Sequence, residues 1–412
     1  MLELTFKELI LIKKTKPIPN YNIKTRLSHA GRSPHECFGL VNTPVTRGST
    51  ILFDSLAKLD NHDQTYTYGR LGNPSTRSVE NIITELENAH NTVLTPSGLN
   101  AITTAILSCT QAGGEILVTD SAYQPTRNLC NDLLSKFNIV TKYYDPRIGA
   151  KIEDLISKKT SAIFLESPGS LTFEIQNLPL ITKVAKKHNI TTIIDNSWAS
   201  PLFYRPLDLG VDIVIHAGTK MFVGHSDVMS GTISCNEKTW GAVKKTHNLT
   251  GTCTSPDDAF LIARGLRTLS VRMERHEKSA IKLAKWLEKQ PLVKYVIHPA
   301  LPSHPDHAIF KRDFSGSGSL FSIILQQAPR KALAAMVENL ELFGMGYSWG
   351  GYESLVLPAD PSKIRTAVPW EEKGQLLRIH VGLESVKDLK ADLRAGLKRY
   401  EEVRNASLAL GG

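Results

Sequence analysis

Between residues 75 and 265 the chain alternates short apolar runs with stretches of helical periodicity. Thr92–Leu94, Ile116–Val118, Ile139–Tyr144, Ala162–Leu165, Thr192–Ile194, Ile213–Ile215 and Val228–Ser234 read as strands. Between them lie helical patterns. Val79, Ile82, Ile83 and Leu86 follow Ser75, a residue able to cap them, and Asn100–Ser108, Gln124–Phe137, Ile152–Lys158 and Leu178–Lys187 continue the series. Apolar strands alternating with amphipathic helices fold as an α/β domain around a mainly parallel sheet. In such a domain ligands bind beyond the carboxyl ends of the strands.

The flanks read differently. Residues 1–24 look like a loosely held leader, because Pro17 and Pro19 stop a helix. The stretch from Thr25 to Asn73 contains no strand–helix unit and reads as an arm. After residue 265 come helical segments marked by Leu269, Val271, Ile281, Leu283, Ala284 and Leu287. Strands follow at Val293–Val296, Gly318–Ile324 and Leu376–Val381, with helices at Ala332–Leu340 and Val386–Val403 and a tail from Asn405. The expected organisation is an N-terminal leader and arm over 1–74, a ligand-binding α/β domain over 75–265 and a smaller α+β domain over 266–412.

Composition narrows the function classes. The content of 41% hydrophobic and 22% charged residues is ordinary for a soluble globular protein. No apolar run reaches the ~18 residues of a membrane span, so no membrane partner is expected. The N-terminus lacks the pattern of a secretory signal. Five scattered cysteines form no CxxC pair and no metal-ligand spacing, which points to a reducing, cytoplasmic compartment and no metal. The net charge of +9 comes from scattered lysines such as Lys183, Lys186, Lys187, Lys244 and Lys245. That is a solvated face rather than a nucleic-acid groove, although the charge can also recruit anionic ligands.

The strand ends carry the chemistry. Ile213–Ile215 runs into His216-Ala217-Gly218-Thr219-Lys220. A lysine there is a nucleophilic amine, a counter-ion for an anion, or a side chain snorkelling to the surface. The other strand ends favour the first reading. Ser97, Gly98 and Leu99 open a helix after Thr92–Leu94, where free N–H groups suit an anion. Tyr123 follows Ile116–Val118, Glu166 follows Ala162–Leu165, and Asp195 follows Thr192–Ile194. A phosphate cradle, an aromatic face, a carboxylate and a lysine together match pyridoxal 5'-phosphate (PLP). Asp195 would hold the pyridinium proton, Tyr123 would stack on the ring, and Thr219 would add a hydroxyl to the phosphate.

The chain resembles the Cys/Met-metabolism family of PLP enzymes, which includes cystathionine γ-synthase, the cystathionine lyases and methionine γ-lyase. The resemblance covers about residues 25–400. It rests on Tyr68-Gly69-Arg70-Leu71-Gly72-Asn73-Pro74, Ser97-Gly98, Tyr123, Asp195-Asn196-Ser197-Trp198 and His216 to His225. Tyr347 to Ser354 and Arg378 to Glu384 complete the set. It implies a PLP-dependent transferase-like fold type I with a mainly parallel seven-stranded sheet and a smaller C-terminal α+β domain. It also implies a covalent Schiff base on Lys220 and a homotetramer built from two active dimers. Tyr68 and Arg70 would reach the neighbouring subunit's phosphate. Arg378 would clamp the substrate α-carboxylate, with Tyr347, Ser348 and Trp349 beside it. Lys220, Tyr123 and Ser348 would be the catalytic residues.

Trp349, within Tyr347-Ser348-Trp349-Gly350-Gly351, resembles the bacterial cystathionine β-lyases, as do Glu166-Ser167-Pro168-Gly169-Ser170 and Gly224-His225-Ser226-Asp227. Asn73-Pro74 is commoner in γ-acting members. The resemblance therefore implies a carbon–sulfur lyase of transsulfuration and methionine biosynthesis, taking a small amino-acid substrate. L-Cystathionine would yield homocysteine, pyruvate and ammonia by α,β-elimination. The alternatives are a cystathionine γ-lyase or γ-synthase, a general cysteine-S-conjugate β-lyase, or a regulatory binding protein on the PLP fold.

Overall fold

The β-branched runs form the strands of one large sheet in the computed structural model, which describes residues 21–409. The strands are β1 (Asn91–Thr95), β2 (Glu115–Thr119), β3 (Val140–Tyr144), β4 (Thr160–Glu166), β5 (Thr191–Asp195), β6 (Ile213–His216) and β7 (Gly231–Cys235). Their order is β1-β7-β6-β5-β4-β2-β3. All neighbours are parallel except β7, which runs antiparallel to β1 and β6. Every residue of β2, β6 and β7 is buried, which is why Ile116–Val118 and Ile213–Ile215 read as continuous apolar runs. The last strand opens at Gly231 rather than Val228, because Ser230 is already bonded to Thr219.

Several helix boundaries differ from the sequence expectation. Asn73, not Ser75, caps the helix Pro74–Glu87. Its side chain accepts from Thr76 N at 3.1 Å while the Thr76 hydroxyl accepts from Asn73 N at 3.1 Å. Ser75 instead bonds the arm, donating to Pro44 O and accepting from Thr46 N, both at 2.9 Å. Gln124–Phe137 is not one α-helix: Gln124–Asn128 passes through a π turn, Leu129–Leu133, into the 3-10 turn Leu134–Phe137. Gly149–Leu155 is 3-10 rather than an α-helix over 152–158, and the Thr160 hydroxyl, accepting from Ser157 N at 2.9 Å, turns the chain beyond it.

The expected leader lies outside the described residues as far as residue 20. At its end Asn22 caps the helix Ile23–His29, so residues 23 and 24 belong to an ordered element. This part of the arm is fastened to the large domain. Arg267 Nη1 donates to Leu27 O at 2.7 Å and Ala30 O at 2.9 Å, and Ser78 Oγ donates to Gly31 O at 2.6 Å.

A second sheet holds β8 (Val293–Ile297), β9 (Leu320–Leu325), β10 (Phe343–Met345), β11 (Ser354–Ala359) and β12 (Gln375–His380), in the order β10-β11-β12-β9-β8. β10 and β11 were not expected. β10 has three residues, two of them exposed, and β11 carries Pro358, so neither has a strand-like pattern. The final helix runs from Val386 to Ala409, through what reads as tail. The helix Leu269–Leu287 joins the two halves. Leu269 and Met273 pack with the core around Ile82 and Phe222, while Ala280, Leu283 and Leu287 pack against β9 and β12.

A buried ion cluster makes a second junction. The fully buried Asp120, just after β2, accepts from Arg127 Nη1 at 2.9 Å, Thr366 N at 3.0 Å and Val368 N at 2.9 Å. The β11–β12 connection is thereby held to the turn that leads to Tyr123. Replacing Asn73 with Ala removes the side-chain half of the reciprocal cap at the start of the helix Pro74–Glu87 and leaves the bond from residue 73 N to the Thr76 hydroxyl. Unfolding free energy should fall by about 1 kcal/mol. A lowered denaturant midpoint at unchanged slope is the expected reading.

Candidate active site

Lys220 stands four residues beyond β6, and its ammonium nitrogen donates to Ser348 Oγ at 2.7 Å. The acceptor comes from the other half of the molecule. Ser348 has a φ of 76°, an uncommon backbone state for a residue with a Cβ. Arg378, on β12, braces it by donating from Nη2 to Ser348 O at 2.9 Å. Gly350 allows the approach: with a φ of 92°, an added Cβ would lie 2.9 Å from the Lys220 carbonyl carbon. Burial, then the Arg378 charge, pushes the Lys220 amine down from 10.5 to about 8, with Asp195 opposing.

Asp195 ends β5. Its Oδ1 accepts from Ser197 N at 2.9 Å and Ser197 Oγ at 2.6 Å, while Oδ2 has no hydrogen bond among the described residues. Ser197 Oγ also accepts from Ala217 N at 2.7 Å, tying the carboxylate to the lysine turn. Burial raises the Asp195 carboxyl, against the Ser197 bonds and the neighbouring His216 and Lys220. A cation placed beside Oδ2 would reverse that direction.

Glu166 pairs with Asp195 across the β4–β5 register. Its Oε2 accepts from Tyr123 N at 2.7 Å. Burial and the neighbouring Asp195 push its carboxyl well above the usual range. The Tyr123 side chain is 43% exposed, and its phenol is raised by burial and by Glu166 and Asp195, with Arg378 opposing.

The helix Gly98–Cys109 begins beside the lysine turn, and a Cβ at Gly98 would stand 2.7 Å from Ala217 Cβ. Ser97 Oγ accepts from Asn100 N at 3.1 Å. The N–H groups of Gly98 and Leu99 have no partner among the described residues, which leaves them open to an anion. Thr219 is engaged elsewhere. Its hydroxyl accepts from Ser230 N at 2.8 Å and donates to Ser230 O at 3.1 Å, so it binds a phosphate only by turning its proton away from Ser230.

Trp349 is half-buried between two core clusters, with Lys220 Nζ 5.6 Å from its ring centroid. Tyr347 is 87% exposed. Tyr68 and Arg70 stay on the arm: Arg70 Nη1 donates to Asn248 O at 2.9 Å, and Tyr68 bridges Thr50. Neither makes a hydrogen bond to Lys220, Asp195 or Ser97 of its own chain among the described residues.

Residues 24–398 match the family described as Cys/Met metabolism PLP-dependent enzyme. The chain belongs to this family. It is 42% identical over 390 residues to a cystathionine beta-lyase of Haemophilus influenzae, covering 92% of this chain and 98% of that protein. It is 40% identical over 388 residues to the cystathionine beta-lyase MetC of Escherichia coli, with the same 92% and 98% coverage. Among solved structures, a cystathionine gamma synthase of Xanthomonas oryzae pv. oryzae in complex with aminoacrylate and cysteine matches with a TM-score of 0.86 at 32% identity, covering 94% of this chain and 100% of that one.

The family's cofactor, pyridoxal phosphate, suits the groups left open here. Two free N–H groups suit its phosphate, the free Asp195 Oδ2 suits a protonated ring nitrogen, and a depressed amine suits its aldehyde. Two residues of the site had no role in the sequence reading. Glu166 was visible as a strand end, but its bond to Tyr123 N depends on how two loops meet. His380 lies two residues after Arg378 on β12 and contacts the Ser348 loop. A family of this chemistry makes the Lys220 amine testable in the cofactor-free chain. Its reactivity towards an acylating reagent should rise with a midpoint near pH 8, where the neutral amine takes over. Arg378→Met removes a repelling cation and should move that midpoint upward. Peptide mapping of the labelled lysine reads both.

Proposed function

We propose that the protein is a cystathionine β-lyase, cleaving L-cystathionine to homocysteine, pyruvate and ammonia. The Trp349 ring beside the Lys220 amine carries this reading, in a chain about two-fifths identical to named cystathionine β-lyases along nearly its whole length. Bound pyridoxal phosphate supplies an electron sink for cleavage at Cα and Cβ. Ser97, Gly98, Leu99 and Thr219 would hold its phosphate, with Tyr68 and Arg70 from a second copy. Asp195 would keep a proton on the ring nitrogen through Oδ2, and Tyr123 would cover the ring.

The chain's own groups then act on the substrate. Arg378 binds the α-carboxylate with the guanidinium edge that Ser348 O leaves open. Ser348 Oγ aims the Lys220 amine, which takes the Cα proton. An amine lowered to about 8 gives that proton up again more readily than an ordinary lysine. The thiolate departs from Cβ, taking a proton from the Lys220 ammonium or the Tyr123 phenol. Trp349 would exclude water from this face, and Tyr347 would meet the distal part of the substrate.

A homotetramer built from active dimers fits the arm, where Phe38, Leu52 and Leu56 expose most of their apolar surface. A cytoplasmic location fits the five cysteines, all free thiols. A γ-acting enzyme is the second reading, favoured by the match to the γ-synthase structure. Products separate the two. Cystathionine should yield pyruvate, whereas 2-oxobutyrate as the main keto acid overturns the β-lyase reading. Arg378→Met should lower kcat/KM roughly 100-fold, the loss of about 2–3 kcal/mol for a charged hydrogen-bonded pair. The loss should appear in KM through the carboxylate and in kcat as well, because Arg378 also braces Ser348 beside the Lys220 amine.

A further inference from the structure

The loop that carries Ser348 is held at two points by β12. Arg378 holds Ser348 O, and two residues along the same strand face stands His380. The His380 ring is fully buried. Its Nε2 lies 3.2 Å from both Gly350 N and Gly351 O, and its Nδ1 lies 2.8 Å from the buried Ser319 Oγ. With Nδ1 protonated, Ser319 accepts and Nε2 receives the Gly350 N–H. With Nε2 protonated, the ring donates to Gly351 O and Ser319 donates to Nδ1. Either tautomer holds the Gly350–Gly351 turn.

That turn matters because of what lies against it. Gly350 packs on the Lys220 backbone, so closely that no Cβ fits. Ser348, two residues earlier, keeps its φ of 76° only if both ends of the segment are fixed. Remove the His380 contact and the turn is free to relax, and Ser348 Oγ leaves the amine.

We propose that His380 is a positioning residue for Lys220, acting through the Gly350–Gly351 turn and Ser348. This inference rests on Lys220 being the amine that carries the cofactor. His380 touches neither substrate nor cofactor in this role.

The test is the rate of covalent attachment of pyridoxal phosphate to the full-length protein after its cofactor has been stripped, followed by absorbance and mapped to Lys220. Four variants are compared with the wild type: His380→Phe, His380→Gln, Ser348→Ala and the His380→Phe/Ser348→Ala double. The Gln amide reaches the Nε2 position and should attach within about threefold of the wild-type rate. His380→Phe and Ser348→Ala should each slow attachment about tenfold, as expected for losing one such bond. The double variant should also be about tenfold slow, because both changes remove one contact. A double variant slowed about a hundredfold overturns the proposal, and so does His380→Phe at the wild-type rate. If His380→Phe does not unfold cooperatively, His380→Asn takes its place. Asn reaches only the Nδ1 position, so it should be slow while Gln is fast, and the reverse order overturns the proposal. Wild-type attachment at another lysine instead overturns the assignment of Lys220, and the positioning role falls with it.

Discussion

An amine buried beside a guanidinium is the constraint on which the rest of this site depends. The Lys220 amine is lowered to about 8 because water is excluded and Arg378 is near, while Asp195 keeps it from falling further. Its one hydrogen bond among the described residues, to Ser348 Oγ, crosses from the large sheet to the small one. A lysine so placed is stable only while both halves hold their positions. The helix Leu269–Leu287 and the Asp120 cluster supply that fixity, one through apolar packing and one through charged hydrogen bonds.

The same junction orders the site. Asp195 and Glu166 sit side by side at the ends of β5 and β4. Burial penalises ionisation of both carboxyls, and at Glu166 the neighbouring Asp195 charge adds to the effect. Glu166 therefore tends to the neutral form and serves Tyr123 through its backbone, whereas Asp195, with two Ser197 bonds and Lys220 nearby, is the group suited to pair with a cation. One strand pair thus carries two carboxyl groups with different tasks, set by their neighbours.

The large sheet was legible because its inner strands are buried on both faces and separated by amphipathic helices. Strand ends then placed Ser97, Tyr123, Asp195 and Lys220 together without further information. The small sheet was only partly legible: β10 is too short and β11 too mixed to show a period. Caps were misread where two polar residues competed, as Asn73 and Ser75 did, because the arm that engages Ser75 returns from 29 residues away. The role of Thr219 was legible in its motif, but not its bond to Ser230. His380 and Glu166 were in view as residues, yet their partners depend on how loops from distant parts of the chain meet.

The central claim is that Lys220, and no other lysine, is the amine this fold prepares. Borohydride reduction of the pyridoxal-phosphate-loaded protein, followed by peptide mass spectrometry, tests it directly. The pyridoxyl group should be found on the peptide that contains Lys220, in nearly stoichiometric amount. Its recovery on a different lysine, or on none, would contradict the account.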